Sequence, residues 1–367
     1  MMFRQGIAAA CVLFLTSCAG YHSMPPQDYS MAPDMLERVV FDQWGDPYPR
    51  SGSLDGLPIP PQVKRGTKGF SVQQYFRDMQ LPYDRDQLLE DSANRVAKGI
   101  RTTRAERVVF LIKGFNNSYE SNEREYANVR NWLAQNGPLE NVVFVHVYWD
   151  AIYKGVGTAP APVGYFAESM TYSNLAGACG FRELLGKLPA GTNVTFLTHS
   201  RGAAVGLSAA ATPLFDRDIS TPCLKDGRGP ERPNQLGDVR LTAFAPALGD
   251  GHLRARDGTV RGDLFDIIDR VYSTVNKEDP AVTKSLGPIS LPDKFAGDTR
   301  FGGTPAYVEM IDSKFAARGH DADFAHLTFD QPSHDWMRYL GNDTEAKCLL
   351  WAGKILRDRP ETCGLTR

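Results

Sequence analysis

The sequence has no excess charge of one sign, no long apolar run and no cluster of metal ligands. Its 41 Lys and Arg residues face 43 Asp and Glu, a net charge of −2 at pH 7. That balance leaves no electrostatic footprint for nucleic acid, and no basic patch interleaved with aromatics stands out. The leading apolar run, Gly6 to Leu15, is too short to span a bilayer as a mature helix. The six cysteines form no C-x-x-C pair and the seven histidines are scattered. This pattern argues against a bound metal, and no cofactor is expected. There is no internal repeat. What remains is an ordinary globular composition, 42% hydrophobic and 23% charged, over 367 residues. That length suits one large α/β domain with extensions.

The N-terminus reads as an export signal. Arg4 precedes the apolar run, and Leu15-Thr16-Ser17-Cys18 closes it. This ending resembles the bacterial lipobox. The resemblance implies that residues 1–17 are removed and that Cys18 carries the lipid. Ala19 follows Cys18, so nothing suggests retention at the inner membrane. The expectation is a lipid-anchored protein of the bacterial cell envelope, at the outer membrane and facing the periplasm. In that oxidising compartment Cys179, Cys223, Cys348 and Cys363 are candidates for disulfides. Cys348 with Cys363 would close a short C-terminal loop, leaving Cys179 with Cys223. Four buried thiols are the alternative.

Composition divides the chain. Residues 18–66 read as a Pro-rich tether and an extension that is hard to place, 67–345 as the main domain, and 346–367 as a tail closed by a disulfide. Within the domain, residues 84–100 have helical apolar spacing. Short apolar runs at Val108–Ile112, Val142–Trp149, Val194–Leu197, Val239–Ala245 and Val271–Val275 read as buried strands. Tyr307–Ile311 is a sixth candidate strand. Helical segments at Asn122–Gln135, Leu175–Leu188 and Ala203–Ala211 alternate with them. This order predicts a mostly parallel sheet with helices on both faces. Pro213–Gly237 is a polar insertion, either a lid or a plain surface excursion.

Sites in such sheets lie beyond the carboxyl ends of the strands. Thr198-His199-Ser200-Arg201-Gly202 sits between a strand and a small-residue helix. A serine in that tight turn has an exposed Oγ, and the next amide, of Arg201, lies at a helix N-terminus that favours negative charge. After the Val108 strand comes Lys113-Gly114-Phe115-Asn116-Asn117-Ser118, where the Phe115 amide could join that of Arg201 in an oxyanion site. After the Val271 strand, Asp279 is the candidate acid that would orient a histidine, with Glu278 as its alternative. His334, in Pro332-Ser333-His334-Asp335-Trp336, follows the last strand and is the candidate base, ahead of His320 and His326.

Together these segments resemble the α/β-hydrolase superfamily. The segments are Val108–Ser118, Val194–Ala204, Leu241–Leu248, Asn276–Val282 and Pro332–Trp336, and the likeness covers roughly residues 105–340. Nucleophile, acid and histidine follow in that family's order: Ser200, Asp279, His334. The Lys113 turn is similar to a His-Gly-Phe-Asn-Asn turn of a bacterial esterase- or lipase-like branch, with lysine in place of histidine. That change bears on the substrate's acid group. Thr198 stands where the family has glycine. The resemblance implies an α/β-hydrolase fold and a membrane-anchored serine hydrolase, cleaving a small carboxylic ester or similar acyl bond through an acyl-enzyme. The aromatics Tyr153, Tyr165, Phe166 and Tyr172 could line an acyl pocket. The alternative is an inactive hydrolase-fold lipoprotein that binds an envelope partner or ligand.

Overall fold

The computed structural model describes residues 35–49, 71–115, 119–150, 163–211, 223, 232–254, 259, 262–283, 285–286, 289–290, 298–320 and 323–365. Cys18, the signal and tether, Tyr153, the side chains of Tyr165 and Phe166, and residues 213–222 and 224–231 of the 213–237 insertion lie outside these residues.

In chain order the framework is β1 (Met35–Phe41), α1 (Val72–Asp78), α2 (Arg85–Thr103), β2 (Arg107–Ile112), α3 (Tyr119–Asn136), β3 (Val142–Trp149) and α4 (Val163–Leu175). Then come β4 (Asn193–His199), α5 (Gly202–Ala210), β5 (Val239–Phe244), β6 (Arg270–Asn276), α6 (Pro305–Ala316), β7 (Phe324–Phe329), α7 (Trp336–Leu340) and α8 (Asp343–Ala352). The seven strands form one sheet in the order β1-β3-β2-β4-β5-β6-β7. Every neighbouring pair is parallel.

The apolar runs are continuous because both faces of the sheet are covered. Val108, Phe110 and Ile112 of β2 point into one core, with Leu89, Ala93 and Val96 of α2, the alanines of α5, and Val308 and Ile311 of α6. Val109 and Leu111 point to the other side, into a core built with Tyr126, Val129 and Leu133 of α3 and with side chains of α7 and α8. Alternate residues of one strand thus feed separate cores, as the two-residue period of a strand requires. Capping fixes the helix starts: the Asp84 side chain accepts from Gln87 N at 3.0 Å and opens α2.

Several expectations change. Tyr307–Ile311 is not a strand but part of α6, with Pro305 in its first turn and Tyr307, Val308, Ile311 and Phe315 on its buried face. The seventh strand is instead Phe324–Phe329, which contains His326. The sheet also runs past the expected domain limits. β1 lies within the 18–66 extension and pairs with β3 from Met35 to Phe41. Leu349 and Leu350 of α8, in the expected tail, are fully buried in the α3–α7 core. The 175–188 segment is helical but contains a π-helix at Ala176–Phe181. Its Gly177 is a point of close approach: a Cβ there would lie 2.3 Å from the Val205 carbonyl oxygen of α5. Cys179 pairs with Cys223 and Cys348 with Cys363, at Cα separations of 5.7 and 5.2 Å.

Candidate active site

The strand order reverses between β2 and β4, and the ends of these two strands carry the Lys113 turn and Ser200. Ser200 has φ +55°, the left-handed region that costs a non-glycine residue energy. Its backbone is held from three sides. Ser200 N donates to the Phe244 carbonyl at 2.9 Å, and Ser200 O accepts from Ala203 N at 3.2 Å and from Ala247 N at 3.1 Å. The β5 segment around Phe244 to Ala247 therefore braces the turn. It also accepts from the buried Arg201 guanidinium, whose Nη1 lies 2.8 Å from the Ala247 carbonyl. Burial pulls Arg201 down to about 9, with Asp298 opposing.

The two residues flanking the elbow are constrained differently. A Cβ on Gly202 would come within 2.1 Å of the Ile112 carbonyl oxygen, so α5 can start against β2 only with glycine there. Thr198 lies inside β4, in register with Ile112 and Ala243, and is fully buried. Its hydroxyl reaches the Thr242 carbonyl at 3.5 Å. The left-handed turn thus forms with threonine at this position.

His334 and Asp279 meet Ser200 from separate elements. His334 Nε2 is 2.8 Å from Ser200 Oγ, and His334 Nδ1 is 2.8 Å from Asp279 Oδ2. An ionised carboxylate only accepts, so Nδ1 carries the proton and Nε2 is left to accept from the serine hydroxyl. Asp279 is fully buried. Its Oδ1 accepts from the amides of Ala281 and Val282, at 2.9 and 3.4 Å. Its Oδ2 accepts a second bond, from Tyr339 OH at 2.7 Å. Glu278 points elsewhere: its side chain is half exposed, 3.9 Å from Lys277 Nζ. His320 bonds Asp323 Oδ2 at 3.0 Å, and His326 sits within β7, so neither is the histidine at Ser200.

The Lys113 turn lies directly against the serine. A Cβ on Gly114 would be 2.5 Å from Ser200 Cβ and 2.9 Å from both Ser200 Oγ and Arg201 N. Only glycine lets the chain pass there, and it brings the Phe115 turn beside the Arg201 amide. Asn116 to Ser118 lie outside the described residues. The Lys113 ammonium is buried and forms an ion pair with Glu125 of α3. It is thus engaged by a carboxylate of this chain. Burial lowers it to about 8, with Asp335 opposing.

Behind His334 lies His199, whose ring centroid is 4.8 Å away and which stacks on Trp336 at 5.4 Å. Burial, reinforced by Coulombic repulsion from the neighbouring His334 whenever that ring is protonated and from Lys113, pushes His199 well below the usual histidine range. It is therefore a neutral packing surface. Tyr172 is half-buried and packs against the sheet core. The described residues contain no His, Cys, Asp and Glu group able to hold a metal ion.

Residues 90–216 match the model of a family described as alpha/beta hydrolase of unknown function (DUF900). With an all-parallel sheet and a strand–elbow–helix at its switch point, this decides the fold. The chain has the α/β-hydrolase fold. Among solved structures, this hydrolase-fold chain is matched by the apo form of Thermogutta terrifontis esterase 2 at 11% identity and a TM-score of 0.31, covering 67% of this chain and 83% of that one. No curated protein matches. The matched family segment holds the Lys113 turn and the elbow of the hydrolase fold, whereas Asp279 and His334 lie beyond it.

Sequence reasoning reached Ser200, Asp279 and His334 but missed their supports. Tyr339, Tyr126, Trp149 and Ala247 carry no local motif. Only the LTAFAPAL segment, noted for its likeness, pointed toward one of them.

Proposed function

We propose that this chain is a serine hydrolase that cleaves a carboxylic ester or similar acyl bond through an acyl-enzyme. The observation that carries the reading is the hydrogen-bonded row Ser200–His334–Asp279, with 2.8 Å at each step and the serine in a left-handed turn. Ser200 Oγ attacks the acyl carbon while its proton passes to His334 Nε2. Asp279 holds the imidazolium that forms. The C–O bond to the leaving alcohol breaks as His334 returns the proton to that oxygen. Water, deprotonated by His334, then attacks the acyl carbon, and Ser200 leaves with the proton. The amides of Phe115 and Arg201 are assigned to the oxyanion, an effect worth about 3 kcal/mol per donor. The passage of Gly114 against Ser200 and the Arg201 nitrogen supports this placement.

The lipobox-like Leu15-Thr16-Ser17-Cys18 supports tethering to the envelope membrane through lipid on Cys18. The tether states where the hydrolase works and leaves the acyl group open.

The test is covalent labelling of the protein lacking residues 1–18 with a fluorophosphonate, followed by turnover of acyl esters of graded chain length. Label on Ser200, lost in Ser200→Ala and in His334→Ala with the fold intact, is the expected result. A folded wild-type protein that takes no label would instead favour a binding role. For the anchor, Cys18→Ser should release the exported protein from membranes.

A further inference from the structure

Asp279 Oδ2 is shared: His334 Nδ1 lies 2.8 Å away and Tyr339 OH 2.7 Å. The Tyr339 hydroxyl in turn accepts from Asn276 Nδ2 at 3.0 Å. Asn276 closes β6, and its Nδ2 also donates to the Gln331 carbonyl, 2.9 Å away, three residues before His334. One amide therefore ties the end of β6 to both the α7 tyrosine and the histidine loop. Tyr339 and Asn276 are buried, and the Tyr339 ring is packed against Phe329 and Phe244. The pair is too deep to touch a substrate at Ser200.

From this geometry we infer that Tyr339 is a positioning residue that sets the basicity of His334 through Asp279, with Asn276 orienting its hydroxyl. The inference rests on the serine-hydrolase reading for its consequence but not for its measurement. Because Asn276 occupies a lone pair of the tyrosine oxygen, the phenolic proton points at Asp279. A carboxylate oxygen that accepts from Tyr339 shares its charge between two donors. It then stabilises the His334 imidazolium less than an unshared oxygen would. Removing the hydroxyl should raise the affinity of His334 for its proton and narrow the pH range in which it is a free base. The other groups around His334 are Asp279 from the β6 turn, Ser200 of the elbow and His199 from β4, with Asp335 next to it on its own loop and Lys113 acting on His199 behind it. All are kept in a Tyr339→Phe protein, which also keeps the aromatic packing.

The experiment is a titration of the His334 ring by NMR on histidine-labelled, full mature protein, with the resonance assigned from a His334→Gln sample. Tyr339→Phe should shift the His334 midpoint upward by about half a pH unit or more. The acidic limb of fluorophosphonate labelling should move upward with it. Asn276→Ala, which leaves the tyrosine but not its orienting donor, should shift the midpoint in the same direction by less. It supplies the reading if Tyr339→Phe does not fold. An unchanged midpoint in the folded variant overturns the inference. A shifted midpoint without any labelling of the wild type would retain it while overturning the hydrolase reading.

Discussion

The indole Nε1 of Trp149, the last residue of β3, donates to the carbonyl of Lys113 at 2.9 Å. On the other side of the same residue, Lys113 N donates to Tyr126 OH at 2.8 Å, and that hydroxyl donates to the Val147 carbonyl at 2.7 Å. Two buried aromatics thus clamp the peptide that leads into Gly114 and Phe115. Their apolar bodies pack the core while their polar atoms fix a turn beside Ser200.

Trp149→Phe keeps most of that packing and removes the donor, leaving the Lys113 carbonyl without its indole partner. The cost is about 1–3 kcal/mol, divided between stability and the position of the turn. The expected outcome is a roughly tenfold lower kcat on a short acyl ester with KM little changed. A fall in Tm with an unaltered kcat would show that the clamp serves the core alone.

Gly114→Ala tests the approach of the turn to the serine. The new Cβ would lie 2.5 Å from Ser200 Cβ, with the Arg201 backbone nitrogen at 2.9 Å, so the turn or the elbow must move. Labelling of Ser200 should slow on the order of a hundredfold, the scale of an ångström-sized displacement at a reacting centre. Circular dichroism and Tm check that the fold survives. Labelling at the wild-type rate would remove the Lys113 turn from the mechanism.

The two adjacent acids should separate cleanly. Asp279→Asn can no longer hold the Nδ1–H tautomer of His334, and kcat should fall by about 10⁴. Glu278→Gln changes a half-exposed side chain that does not reach His334, so activity should stay within about twofold. Comparable losses in both variants would contradict the Asp279 assignment.

His199 predicts a pH dependence of stability. Its folded-state pKa lies well below the ordinary value of 6.5 because burial, and then repulsion from the adjoining His334 ring when protonated and from Lys113, disfavour the charged form. Below about pH 6.5 the unfolded chain takes up a proton at this position that the folded chain refuses. The unfolded state then binds more protons, so stability rises with pH and falls as pH drops. The contribution is fully present above the unfolded pKa. It is lost toward the folded one at up to roughly 1.4 kcal/mol per pH unit. His199→Phe should therefore lose less stability than the wild type between neutral pH and about pH 5 in denaturant titrations. Parallel curves would show that His199 takes up its proton in the folded state too. His146, also lowered by burial, contributes equally to both proteins.

Much of the framework was legible along the chain because each piece has a local cause. β2 to β6 appear as apolar runs since both faces of those strands are buried. The elbow shows as Ser200 between β4 and the small residues of α5, where Gly202 must pass the Ile112 carbonyl. The order Ser200, Asp279, His334 follows from a parallel sheet, in which each successive strand delivers its following loop to the same edge. Tyr307–Ile311 was misread because Val308 and Ile311 occur in a short apolar stretch. The i, i+4 continuation to Phe315 and the proline at residue 305 are the helical signals.

The rest depends on distance between parts of the chain far apart in sequence. β1 is a strand by virtue of its pairing with β3, more than a hundred residues later, and its run of apolar residues is too short to announce it. The preference for Asp279 over Glu278 becomes a contact only when the loops after β6 and β7 meet. Tyr339 is one aromatic in a five-residue helix until α7 packs beside β6 and aims its hydroxyl at a buried carboxylate. Residue type and spacing determined which groups could do chemistry and on which edge of the sheet they would gather. Tertiary packing decided which hydrogen bonds they make, because a bond of under 3 Å is set by where whole elements come to rest.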